Sequence, residues 1–223
     1  KTYKGMFPNL YEIPIDKDLY GSPTAGDYIK HSYHGGWCYL VKGKEKQIKH
    51  NGTTADVNSL YPSMMSSESG NWYPFKEPTF WKGDYIPLEA MELGKYYFVR
   101  FTTRFYIRPN KLPFIQIKNT FRYRATEMLE TSDVLNEETG EYCKEIINLN
   151  HEVVPTTVAL TMTMTDFKLF KEHYELVDFE ILDGCYFNAA FGIFDEYINK
   201  YKEIKLRSKG AQRELAKLFL NNL

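Results

Sequence analysis

The sequence predicts an α+β fold, with strands and helices largely segregated along the chain. Three observations carry this reading. Val158, Leu160, Met162 and Met164 alternate with Ala159, Thr161, Thr163 and Thr165, which is the period of a half-buried strand. Two further runs, Tyr96 to Phe105 and Glu175 to Phe187, read as strands. The last thirty residues change period: Phe194, Tyr197, Ile198, Tyr201 and Ile204 share one helical face. After Gly210 a second apolar stripe runs through Ala211, Leu215, Leu218 and Phe219.

The remaining elements follow in order. Residues 1–30 hold Pro, Gly and Asp with few periodic signals, and read as an extended entry segment. Tyr33-His34-Gly35-Gly36 is turn-like and precedes the apolar run Trp37 to Val41. Lys42 to Lys49 is a charged turn. Thr53 to Leu60 reads as a strand, and Pro62 suits the first turn of a short helix reaching Met65. Ser66 to Gly83 is polar, aromatic and Pro-containing, hence loop. Leu112 to Ile117 is a short strand, and Asn136 to Gly140 a hairpin tip. Thr165 or Asp166 caps a short helix through Tyr174.

Composition bounds the function. With 223 residues the chain makes one large domain or two small ones, and 43% hydrophobic content excludes a disordered chain. Its formal net charge is −1, so any nucleic-acid surface must be local. The one locally basic helical region is 193–223, with seven Lys or Arg against four Asp or Glu. Three distant Cys point to reduced thiols in a cytosolic setting. The five His have no metal-ligand spacing, and no apolar run is long enough to span a membrane. The chain starts at Lys1 and stops at Leu223 inside a helical pattern, so it reads as an excised piece of a longer protein.

Asp56 opens the chemistry. It interrupts a strand-like run, where Asp is disfavoured. Such a break marks either a cap or edge position or a functional carboxylate. A carboxylate at a strand end suits Mg²⁺, which needs a further partner.

The string Asp56-Val57-Asn58-Ser59-Leu60-Tyr61-Pro62-Ser63 resembles motif A of the family B DNA polymerases. Lys217 and Asn221, four apart on the C-terminal helix, resemble the start of their motif B, although Asn222 stands where Ser is usual. Tyr33-His34-Gly35-Gly36 is similar to the Tyr-x-Gly-Gly element of the protein-primed, phi29-like branch. Asp56 and Lys217 are 161 residues apart, which leaves room for that branch's inserted region, called TPR1, where a terminal protein docks. Leu112 to Lys118, Lys171 to Tyr174, and Phe191 to Phe194 leading to Lys205 resemble that region and its exit. The stretch 119–155 looks longer than its counterpart.

The resemblance implies a fold and a chemistry. It implies a partial palm sheet with motif A (1–66), a mixed TPR1-like insertion (67–192), and palm or fingers helices (193–223). It implies two-metal nucleotidyl transfer with Mg²⁺ (or Mn²⁺), Asp56 and the Val57 carbonyl being metal ligands. Ser59, Leu60 and Tyr61 would shape the nucleotide site, with Tyr61 excluding a 2′-hydroxyl. Lys205, Lys217 and Asn221 would meet the nucleotide, and Tyr33, Gly35 and Gly36 the template strand. The implied partners are template-primer DNA, a dNTP, a terminal protein and the remainder of the polymerase chain, with no membrane, in a bacterial host cytoplasm. The second catalytic carboxylate lies in a motif C, Asp-Thr-Asp-like, and no such string occurs here. The expected result is a chain that does not polymerise alone. Alternatives are a non-catalytic terminal-protein or DNA-binding module, a prophage relic, or a piece of an ordinary DNA-primed family B polymerase.

Overall fold

The computed structural model of the chain describes residues 3–117, 120, 122–123 and 128–223. Lys118 and Asn119, at the end of one predicted stretch and the start of another, lie outside them. In chain order the elements are α1 (Lys17–Tyr20), α2 (Ala25–Lys30), α3 (Leu60–Met65), β1 (Trp72–Lys82), β2 (Lys95–Ile107), β3 (Val134–Leu135), β4 (Tyr142–Cys143), β5 (Glu145–Ile147), β6 (Val153–Pro155), β7 (Val158–Thr163), α4 (Met164–His173), β8 (Tyr174–Phe191), α5 (Asp195–Arg207) and α6 (Ala211–Asn221). The α+β expectation is borne out.

The centre is a four-stranded antiparallel sheet in the order β1-β8-β2-β7. Alternation along β2 divides the core between its two faces. Val99, Phe101 and Phe105 pack with Phe167 and Phe170 of α4, with Leu160 and Met162 of β7, and with Tyr174 and Ile181 of β8. Phe98 turns the other way and meets Cys185, Phe187 and Tyr28, so α2 and the N-terminal segment cover that face. Gly184 allows Trp81 to close over β8. A Cβ there would sit 2.2 Å from the indole and 2.5 Å from the Phe98 carbonyl oxygen.

A buried polar cluster fastens the N-terminal segment to the sheet. Asp183 of β8 accepts from Tyr28 Oη at 2.6 Å, from Arg100 Nη2 at 2.5 Å and from Lys82 Nζ at 3.1 Å. A second anchor is Tyr174. Its hydroxyl donates to the Leu129 carbonyl and accepts from the Phe114 and Ile115 N–H groups, and burial pushes its pKa up to about 12.

Several predicted elements are corrected. Residues 1–30 are not merely extended: Asp16 caps α1 and Thr24 caps α2 through side-chain oxygens. Thr53 to Leu60 forms no strand, and α3 begins at Leu60. A strand needs a ladder partner, and the outer strands of the sheet are β1 and β7. Leu112 to Ile117 contributes only an isolated bridge, Ile115 to Leu129. Ser66 to Gly83 is not all loop, because it contains β1. Pro74 and Pro78 suggested loop, but β1 is an edge strand with an irregularity between Phe75 and Thr79, where Pro is tolerated. The cap of α4 is Thr163, whose hydroxyl accepts from the Asp166 N–H, rather than Thr165 or Asp166. The hairpin tip at 136–140 is as expected, between β3 and β4.

Candidate functional site

The site is built where α3 meets α5 and α6. Ser59 caps α3 in a left-handed conformation, φ 51° and ψ 50°, which a residue with a Cβ adopts only at a cost. Its carbonyl accepts from the Ser63 N–H at 2.9 Å. Lys205, on α5 and 146 positions away, donates Nζ to Ser59 Oγ at 3.1 Å. Arg213 of α6 in turn donates to the Lys205 carbonyl at 2.9 Å, tying the two C-terminal helices together. Tyr201 stacks on Phe219, and Tyr197 donates to the Phe219 carbonyl.

The other end of α3 is held as firmly. The Met64 carbonyl accepts from Ser69 Oγ, Asn71 Nδ2 and Tyr73 Oη. The Ser67 N–H donates to Asp195 Oδ1 at 2.8 Å at the start of α5, and hydrogen bonding from the Ser67 side chain and then its backbone holds the Asp195 carboxyl below its ordinary range. Between these anchors lies a cavity of about 390 Å³, lined among others by Asn58, Ser59, Ser63, Lys202, Lys205 and Arg213. Its lining offers hydroxyls, amides and three cationic side chains against one carboxylate, Glu68, a set suited to an anionic, phosphate-bearing ligand.

The predicted residues fall into three places. Ser59 and Lys205 are brought together. Leu60 and Tyr61 stand exposed on the first turn of α3, Tyr61 at 67% exposure. Asp56 and Val57 lie in exposed coil just before it, not on the predicted strand. Lys217 and Asn221 lie one turn apart on the exposed face of α6, whose buried face is Ala216 and Leu220. Of the apolar stripe on this helix, Leu215, Leu218 and Phe219 are about half exposed. Tyr33, Gly35 and Gly36 are elsewhere, in the coil after α2. Tyr33 is 86% exposed, and Gly36 has φ 70°, the backbone reason for a glycine. Trp37 fixes this coil to the sheet domain by donating Nε1 to the Phe114 carbonyl at 2.9 Å.

Among the described residues, no three His, Cys, Asp or Glu side chains gather closely enough to hold a metal ion. One exposed carboxylate, Asp56, does not make a magnesium site. These residues do not fit a complete metal centre, so no chemical step is derived through one. Arg213, Lys202 and Ser63 were not singled out by the sequence. Ser63 sits inside the motif already named, whereas the two cations join the site only through helix packing.

A family model described as DNA polymerase type B, organellar and viral, matches residues 6–223. The chain belongs to this polymerase family. Over 224 aligned residues it is 33% identical to the DNA polymerase of Bacillus phage Nf and 32% identical to that of Bacillus phage phi29, covering all of this chain and 32% of each phage protein. Among solved structures it superposes on phi29 DNA polymerase complexed with primer-template DNA and incoming nucleotide substrates. The TM-score is 0.72 at 28% identity, with 99% of this chain and 32% of the other covered. An orthorhombic crystal form of phi29 DNA polymerase gives 0.67 at 28% identity. This type B polymerase chain therefore spans about a third of the length of the relatives it matches. No described helix is long and apolar enough to cross a membrane.

Proposed function

We propose that this chain is the nucleotide-facing region of a DNA-directed DNA polymerase of the protein-primed branch. The observation that carries the reading is the Lys205–Ser59 bond. It brings a cation from α5 onto the motif that contains Asp56 and Tyr61, beside a cavity rich in hydroxyls and positive charge. Superposition on a polymerase whose complex holds primer-template DNA and incoming nucleotides supports it.

In this reading Lys205, with Lys217 and Asn221, faces the triphosphate and base side of an incoming dNTP. Neutralising the phosphates there stabilises charge that builds up on the leaving group. Ser59 and Leu60 set the turn that presents Tyr61, and the Tyr61 ring occupies the space a 2′-hydroxyl would need. Asp56 and the Val57 carbonyl are proposed as oxygen ligands of Mg²⁺ (or Mn²⁺), with a second carboxylate supplied by another part of a polymerase. Tyr33, Gly35 and Gly36 are proposed to meet the template strand, glycine letting backbone approach phosphate. The divisions 1–66, 67–192 and 193–223 are proposed as partial palm, TPR1-like insertion and palm or fingers helices, with terminal protein as the partner of the insertion.

The test pairs catalysis with sugar discrimination on the 223-residue chain. Primer extension with Mg²⁺ or Mn²⁺ is expected to give no product, because a second catalytic carboxylate is missing. Equilibrium titration is expected to show dATP bound more tightly than ATP, with the preference lost in Tyr61→Val. Equal affinity for the two sugars in the unsubstituted chain would overturn the reading.

A further inference from the structure

Asn51-Gly52 is the one Asn–Gly pair in the chain. It lies in residues 49–57, the coil that leads to α3 and carries Asp56, and every residue of that stretch is exposed. No described residue exchanges a hydrogen bond with this stretch, through backbone or side chain. The Gly52 N–H and the Asn51 carboxamide are thus both open to water. A Cβ at Gly52 would meet nothing within 4 Å, so the space around the pair is open as well.

Other asparagines of the chain are held. Asn136 Oδ1 accepts from the Glu138 and Thr139 N–H groups, and Asn148 Oδ1 from those of Asn150 and Glu152. Asn188 sits inside β8 and accepts from Lys95 Nζ at 2.8 Å. Their followers, Glu137, Leu149 and Ala189, each carry a Cβ. An asparagine closes on the amide nitrogen of the next residue only if the main chain turns to bring the two together. Pairing in a sheet prevents that turn, and a Cβ on the follower crowds it, whereas glycine leaves the approach free.

We propose that Asn51-Gly52 is a site of spontaneous deamidation, a covalent change in the coil before Asp56 that needs no enzyme and no cofactor. The Gly52 nitrogen gives up its proton and attacks Asn51 Cγ. The new N–Cγ bond closes a succinimide ring, the Cγ–Nδ2 bond breaks, and ammonia leaves with the proton. Water then opens the ring at either carbonyl, giving aspartate or isoaspartate. Either product carries a carboxyl group that is ionised at neutral pH, which takes the formal net charge from −1 to −2. Isoaspartate also routes the main chain through one additional methylene, five residues before Asp56. The site does not depend on the nucleotide-binding reading of the α3–α5 cavity.

Peptide mapping by mass spectrometry tests this on the 223-residue chain, held at mildly alkaline pH both folded and in urea. The peptide that contains Asn51 is expected to show the mass change of an amide turned to an acid, in two chromatographically separate forms. A stretch without hydrogen bonds opens at almost no cost, so the folded and urea-unfolded rates are expected to agree within about threefold. Gly52→Ala, a change in exposed coil, is expected to slow the reaction by at least about tenfold, because its Cβ hinders the approach of the nitrogen. Asn188 is the internal reference and is expected to stay intact while the chain is folded. An Asn51 that converts in urea but keeps its amide in the folded chain overturns the proposal, since the coil would then be protected. So does an equal rate in Gly52→Ala, or conversion of Asn188 in the folded chain as fast as that of Asn51.

Discussion

Asp183 lies in the middle of β8 with no solvent exposure, and Tyr28, Arg100 and Lys82 all donate to its carboxylate. Burial beside this carboxylate drives the Tyr28 hydroxyl pKa far above its ordinary value, so Tyr28 remains a donor at every working pH. Removing the charge leaves Arg100 without its partner in a partly buried site. Asp183→Asn is expected to destabilise the chain by about 3 kcal/mol in urea unfolding, near the lower bound for breaking a buried pair. An unchanged midpoint would mean that the cluster does not fasten the N-terminal segment. Asp56 breaks strand propensity in the same way in the sequence, yet the structure leaves it in exposed coil. The local rule flags an unusual Asp but does not say what it does. Motif context separated Asp56 from Asp183, whose partners come from 83 to 155 positions away and leave no local trace.

At the scale of elements, the junction of α3 with α5 organises the candidate site. Lys205 holds one end of α3 through Ser59, and Asp195 holds the turn after its other end through Ser67. The Asp195 carboxyl is depressed by the Ser67 bonds. Its contribution to stability is therefore fully present above the ordinary Asp value of about 3.9 and is lost as pH falls through the lower folded value. The protection of the Ser67 amide against hydrogen exchange is expected to hold down to about pH 4 and fall below it, while Asp195→Asn loses that pH dependence. A flat profile in the unsubstituted chain would contradict the assignment. The long strands β2 and β8 and the helices α5 and α6 were legible because their period persists over ten or more residues. β1 was not, because Pro74 and Pro78 imitate a loop and only its edge position explains them. The order β1-β8-β2-β7 was likewise invisible, since it depends on pairing across a hundred positions.

The chain spans about a third of the length of its phage relatives. Leu215, Leu218 and Phe219 of α6, with Leu60, Tyr61 and Met64 of α3, leave apolar area facing outward around the candidate site. The sequence placed the α6 stripe on a helix but put Leu60 at the end of a strand, and periodicity identifies an apolar face without saying which neighbour covers it. Family membership was readable from Asp56 to Ser63 and from Tyr33 to Gly36. The Lys205–Ser59 contact was not, because it joins two motifs that the sequence treats separately. We propose that this contact marks a binding wall for nucleotide phosphate. Its most direct test is equilibrium titration of dATP into the unsubstituted chain and into Lys205→Ala. A loss of affinity of at least about tenfold in the variant is predicted, as expected for removing a charged hydrogen-bond donor. Equal affinity in the two proteins would contradict the account.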